Sequence, residues 1–204
     1  MCNHFRNHPA ELSTWAEYSG YNLEQEQLER LIGEVWPTSP TAAEVKYPGA
    51  VVRWEGEKQI LDTMAWGIVT TVKGAKGQPL KKAVTNVRNL TSPFWKGALA
   101  APTNRCLVPF TSFAEPKAGA GREEHWFTIA DRPVACFAGI WSYSEGMPRF
   151  AFLTCEPNPL VAPLHPKAMP VVLQEADYDG WLTGDYDAAC GLACPYPSQL
   201  MMVA

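Results

Sequence analysis

The chain has 204 residues, 47% hydrophobic and 19% charged, which suits one domain with a sizeable core. A net charge of −4 excludes a protein that coats nucleic acid by bulk charge, so any such binding has to be local. No apolar run reaches the length of a membrane span, and the opening residues MCNHFRNHPAE lack the apolar core of a secretion signal, so a cytoplasmic protein without a membrane partner is expected.

Along the chain, the first expected helix covers Leu23–Val35. Asn22 stands at its cap, Gln25 follows three residues on, and Leu23, Leu28, Leu31, Ile32 and Val35 form its apolar stripe. Pro37 and Pro40 stop it. Short runs rich in Val, Ile, Phe, Trp and Thr then predict strands at Ala50–Trp54, Ile60–Val72 with a break, Cys106–Ala114, His125–Ala130, Ala135–Ser142, Arg149–Cys155 and Pro170–Leu173. Ser92 and Pro93 open a helix reaching Leu99. A further helix is expected near Ala176–Leu182. Val72–Leu80 reads as a polar loop with two lysines, Ala118–Glu124 as a hairpin turn, and the tail after Gly184 as weakly patterned, with fraying expected at its last residues. One helix, many strands and helical inserts predict a single α+β domain over residues 1–204. Its core is a mostly antiparallel sheet or open barrel with flanking helices.

The six cysteines, Cys2, Cys106, Cys136, Cys155, Cys190 and Cys194, form no C-x-x-C pair. Cys190 and Cys194 have no second cluster to complete a zinc site. His4 and His8 share i,i+4 spacing near Cys2, but Pro9 disfavours the helix that would present them together, so no metal or cofactor is expected.

Cys2 is the most informative residue. Trimming of Met1 would leave an α-amine and a thiol on adjacent carbons, a 1,2-aminothiol that captures an aldehyde as a closed thiazolidine ring. The two groups titrate near neutrality, with reference values of roughly 8 and 8.5. Other polar residues stand in apolar surroundings. They are Asn86 and Arg88 in T-N-V-R-N-L, Glu115 at the end of R-C-L-V-P-F-T-S-F-A-E-P, Thr154 in F-A-F-L-T-C-E-P-N, His165 in L-H-P-K-A-M-P-V-V-L, and Trp66 in M-A-W-G-I-V.

In this order the segments resemble the SRAP family, the SOS-response-associated peptidase domain, whose members include abasic-site crosslinking proteins. The landmarks are M-C, W-G-I, N-V-R, R-C-L-V-P…F-A-E, A-G-I-W, L-T-C-E-P-N and H-P-K-A-M-P-V-V-L, spanning residues 1 to about 173. The resemblance implies a mixed α and β fold with a barrel-like sheet and an active site of Cys2, Asn86, Glu115 and His165. In that reading Cys2 is the nucleophile, Glu115 holds or deprotonates the α-amine, His165 moves protons at the sugar ring oxygen, and Asn86 orients Cys2. Arg88 is the expected phosphate contact and Trp66 a stacking face, with Thr154, His4, Arg6 and Lys167 as further DNA-binding candidates. The implied partner is single-stranded DNA with an abasic site, bound by a monomer.

The sequence also departs from the family pattern. Asn3-His4 replaces the usual Gly-Arg after the cysteine. Ser112-Phe113-Ala114-Glu115-Pro116 replaces Gly-Phe-Tyr-Glu-Trp, and His165-Pro166-Lys167-Ala168-Met169-Pro170 replaces His-Asp-Arg-Met-Pro. Residues of the implied chemistry are kept while those of the binding surface drift. Two other readings fit the same residues: a cysteine-type (auto)peptidase using Cys2 and His165, and a non-catalytic binding domain on the same fold.

Overall fold

A computed structural model describes residues 2, 4–21, 25–31, 33–117 and 123–203. The first elements are β1 (His4–Arg6), α1 (Pro9–Tyr18), α2 (Gln25–Arg30) and β2 (Glu34–Val35). A strand-rich run follows: β3 (Gly49–Glu55), β4 (Lys58–Trp66), β5 (Ile68–Lys73), β6 (Pro79–Val84) and β7 (Asn86–Val87). Helix α3 (Pro93–Ala100) leads into β8 (Arg105–Phe110), β9 (Ser112–Pro116), β10 (Glu124–Ile129), β11 (Ala135–Ser144) and β12 (Met147–Cys155). The last elements are β13 (Met169–Pro170), β14 (Val172–Leu173), α4 (Tyr178–Thr183), α5 (Tyr186–Gly191) and β15 (Met201–Val203).

Five strands close on themselves. β12, β4, β3, β8 and β11 pair in that order, and β11 returns to β12. Only the β12–β4 pairing in this ring is parallel, so the barrel is mixed. Closure removes the exposed strand edges that an open sheet would leave. A second sheet, β15-β10-β9-β1-β2, is antiparallel throughout. The chain steps from barrel to second sheet at Thr111, between β8 and β9. The single α+β domain is thus the expected one, with the barrel closed rather than open.

The core explains why the site lies where it does. Phe5 on β1 is fully buried among barrel aromatics, with its ring centroid 5.3 Å from that of Trp66 and 5.7 Å from that of Phe137. Phe110 stacks on Phe137 at 3.9 Å. Edge-to-face and offset pairs of this kind add roughly 0.5–1.5 kcal/mol each beyond their burial. Strand β1 is therefore pinned three residues from Cys2. Gly139 lets β8 and β11 approach closely, since a Cβ there would stand 2.6 Å from Val108 Cγ2. Gly67, at φ +114, breaks the expected Ile60–Val72 strand into β4 and β5.

Several expectations need correction. Of the expected Leu23–Val35 helix the described residues show Gln25–Arg30, and Glu34–Val35 is instead a strand paired with Phe5 and Arg6. Gly33, at φ +88, turns the chain between the two, while Asn22, Leu23 and Ile32 lie outside the described residues. Pro9 does not prevent a helix but opens α1, because proline at the first helical position lacks only an N–H that would be orphaned anyway. His4 lies in a strand and His8 precedes the helix, so they share no helical face. Most of the Val72–Leu80 "loop" is the tip of the β5–β6 ribbon. The tail does not fray: Asp185 caps α5 by accepting from the Ala188 N–H, and β15 pairs with β10. The Ala118–Glu124 turn falls largely outside the described residues, but Glu124 pairs antiparallel with Pro116 across it.

Candidate functional site

Four segments meet at the start of β1. The pairing of β1 with β9 sets His4 opposite Ala114 and Phe5 opposite Phe113, so the chain runs back towards Glu115 as it approaches Cys2. Strand β7 lies parallel to β12, with Asn86 opposite Phe152. Strand β13 pairs with the end of β12 and follows directly on the loop that carries His165.

Cys2 is 0% exposed, and its thiol stands 3.5 Å from the His4 carbonyl. Burial pushes the thiol well above its ordinary pKa, and the nearby Glu115 carboxylate adds to the shift. Asn86 Nδ2 donates to the Cys2 carbonyl at 2.9 Å and to Thr85 Oγ1 at 2.7 Å. Its Oδ1 is buried and accepts no hydrogen bond among the described residues. Glu115 is also 0% exposed, and burial raises its carboxyl to about 7, with the Glu124 charge adding to the effect. Glu115 Oε2 lies 3.5 Å from His165 Nδ1. That nitrogen is also 2.8 Å from the Ala168 carbonyl, which can only accept, so Nδ1 carries a proton and Nε2 holds the lone pair of the neutral ring. Burial lowers the His165 pKa and favours the neutral form. A carboxyl poised near neutrality beside a thiol and a neutral imidazole can exchange protons at pH 7 in either direction. All four residues expected to carry the chemistry are thus brought together.

The six residues expected to bind DNA are placed differently. Trp66 is fully buried, donates to the Thr85 carbonyl at 3.0 Å and packs on Phe150 and Phe152, so it has no open face and belongs to the core. Thr154 is buried, and its hydroxyl bonds to the Val87 carbonyl at 3.5 Å. Arg88 donates through Nη1 to the carbonyls of Cys155, at 2.7 Å, and Lys167, at 3.2 Å, while Nη2 pairs with Glu156. The Lys167 side chain is exposed. His4, 4% exposed, is held between carboxylates: Nδ1 meets Glu124 at 3.0 Å and Nε2 meets Glu34. The His4 ring stacks on Trp36 at 3.6 Å and meets the edge of Trp126 at 4.7 Å. Arg6 donates to Glu34 at 2.8 Å and covers Trp126 at 3.8 Å.

Sequence reasoning missed Glu34, Glu124, Trp36, Trp126 and Glu156. Their partners lie 28 to 120 positions away, and no local pattern signals such pairs. Among the described residues no group of three or more His, Cys, Asp or Glu side chains is placed to hold a metal ion, and no helix is long and apolar enough to cross a membrane.

A mixed barrel with a cysteine, a carboxyl, an imidazole and an amide gathered at the start of the chain defines a distinct class of protein. The profile of the SOS response associated peptidase (SRAP) family matches residues 1–204, and the chain belongs to that family. Similar solved structures include a protein from Bordetella bronchiseptica (22% identity, TM-score 0.74, covering 100% of this chain and 98% of that one). Another is a protein from Bacteroides thetaiotaomicron (18% identity, TM-score 0.74, covering 99% and 90%). A third is a phage-related protein from B. bronchiseptica (17% identity, TM-score 0.66, covering 100% and 92%). At these identities they establish the fold. No curated protein matches the sequence.

Proposed function

We propose that this protein captures abasic sites in single-stranded DNA as a covalent thiazolidine on Cys2, formed after Met1 is removed. The supporting observation is the convergence of Cys2, Asn86, Glu115 and His165, with Asn86 hydrogen-bonded to the Cys2 backbone and Glu115 beside the thiol.

In this reading the freed α-amine of Cys2 attacks the open-chain aldehyde of the abasic sugar. The carbinolamine loses water to give an imine. The thiol sulfur then adds to the imine carbon while the nitrogen gains a proton, so aldehyde and aminothiol give thiazolidine plus one water. Glu115 takes a proton from the attacking amine and returns it to the departing hydroxyl, two roles that suit a carboxyl titrating at about 7. His165, with its Nδ1 proton held toward the Ala168 carbonyl, exchanges a proton with the sugar ring oxygen through Nε2 as the ring opens. Asn86 holds the Cys2 backbone through Nδ2, and its unpartnered Oδ1 is an acceptor for an N–H of the new amine. The reaction needs one aminothiol, hence one copy of the chain.

Burial and Glu115 hold the proton on the Cys2 thiol, so the sulfur gives that proton up as it adds to the imine and the ring nitrogen gains one. The test is to verify Met1 removal by intact mass, then to mix the protein with single-stranded DNA carrying one abasic site. A band that survives denaturing electrophoresis and vanishes with Cys2→Ser supports the proposal. Absence of the band from correctly trimmed protein refutes it.

A further inference from the structure

The cations around the site are largely neutralised from within. Arg6 pairs with Glu34, Arg88 with Glu156, and His4 lies between Glu34 and Glu124. Lys167, exposed and in no ion pair among the described residues, is the candidate cation left, so a polyanion needs further positive field from elsewhere. Residues 68–84 contain Lys73, Lys76, Lys81 and Lys82 and no Asp or Glu, so this segment carries +4 in a chain of net −4. Thirteen of the seventeen Lys and Arg and all twenty-one Asp and Glu lie elsewhere, which leaves −8 on the remainder.

This segment is the β5–β6 ribbon, a two-stranded sheet of its own. Its base is fixed, with Ile68 opposite Val84, the Val69 N–H donating to Ser144 Oγ at 3.1 Å, and Lys81 paired with Glu145. Lys73, Lys76 and Lys82 are exposed and in no ion pair among the described residues. The strand that ends at Val84 reaches Asn86 two residues later, so the ribbon rises from the wall of the Cys2 site. Lys82 stands four residue steps before Asn86, at most about 13 Å along the chain. Thr70 and Thr71 lie opposite Lys82 and Lys81 and add hydroxyl donors of the kind that bind phosphate oxygens. Leu80 is the ribbon's one large, strongly exposed apolar side chain, too little to enter a lipid surface.

We propose that the β5–β6 ribbon is a basic arm that follows the phosphates of the single DNA strand flanking the lesion, with Lys73, Lys76 and Lys82 as its contacts. The proposal rests on the crosslinking function above and names where that site acquires its affinity for DNA.

The test uses undamaged single-stranded oligonucleotide, so it reads binding without the covalent step. Fluorescence anisotropy across a salt series would compare the full chain with K73E/K76E/K82E and with the neutral K73Q/K76Q/K82Q set. Each phosphate contact on a single strand contributes about −0.7 to the slope of log K against log salt. The neutral variant should flatten that slope by about 2 and weaken binding about tenfold or more at low salt, and the reversed variant should weaken it further. Equal affinity and slope in all three proteins, or no binding by the parent, would overturn the arm. So would DNA binding that holds while affinity for phosphatidylserine vesicles falls, which would assign the arm to a membrane. A failed abasic crosslink by the parent with normal, lysine-dependent binding of undamaged DNA would sink the crosslinking function and leave the arm as a strand-binding element.

Discussion

The proposed reacting and binding sides of the site are built on opposite principles. Cys2, Asn86, Glu115 and His165 come from four separate segments, yet they are gathered side by side, and burial rather than pairing tunes the thiol and the carboxyl. Arg6, Arg88 and His4 are each tied to a carboxylate. Trp66 and Thr154 are turned into the interior. The proposed reacting side is tuned by burial, whereas the arginines of the proposed binding side are paired with carboxylates.

The largest expected effect falls on the reacting side. Cys2→Ser keeps an amine but loses the thiol that closes the ring, so the band resistant to denaturation should disappear entirely. Persistence of that band would assign the covalent bond to another residue. Glu115→Gln should slow crosslinking by about 10²–10⁴-fold, the usual contribution of a positioned proton carrier. The parent rate should rise through about pH 7 as Glu115 becomes able to accept a proton, and the variant should lose that rise.

Stability should move the other way. The folded pKa of Glu115, at about 7, lies above the ordinary 4.5, so the folded state keeps a proton that the unfolded chain has released. Glu115 therefore costs stability increasingly as pH climbs from about 4.5 to about 7, by about 3 kcal/mol in the limit. Glu115→Gln should be more stable than the parent at about pH 8 and little different at about pH 4. Urea melts at both values test this, and parallel curves for the two proteins would show that Glu115 is not held against its charge.

Trp66 tests the binding side. As a core residue, Trp66→Ala should cost about 3–5 kcal/mol in denaturant unfolding while the protein that remains folded binds undamaged DNA as before. A selective loss of DNA affinity with little loss of stability would return Trp66 to the binding surface.

Sequence legibility follows the same division. Strands β11 and β12 were readable, as Ala135–Ser142 and Arg149–Cys155, because over those stretches both faces are largely buried, giving long apolar runs. Strand β6 was not, because Pro79–Val84 is polar and mostly exposed and its pairing supplies no hydrophobic alternation. Helix α1 was hidden by reading Pro9 as a breaker rather than as a first-turn residue. Strand β2 was hidden because Glu34 and Val35 continue a helical stripe that Gly33 interrupts. That Cys2, Asn86, Glu115 and His165 belong together was legible because each sits in a recognisable segment and the segments keep their order. The ion pairs that neutralise the binding side join residues 28 to 120 positions apart and depend on register alone.

The smallest predicted effect isolates that neutralisation. Arg88 Nη1 is fixed by two carbonyls, so its guanidinium plane is set whether or not Glu156 is present. Nη2, the arm that pairs with Glu156, is then the one a phosphate would take. The Glu156 side chain is 76% exposed, and an ion pair so wet contributes about 0–1 kcal/mol, so Glu156→Gln should leave the melting temperature nearly unchanged. The same substitution removes a negative charge from the path of the strand and frees a donor already in position. Affinity for undamaged single-stranded DNA should rise a few-fold, and the salt slope should steepen by about 0.7 if one phosphate is gained. The gain should vanish in the R88A/E156Q double variant, because it acts through that guanidinium. If Glu156→Gln gains as much affinity without Arg88 as with it, the effect is general charge, and Arg88 serves only to hold the Cys155 and Lys167 backbones beside His165.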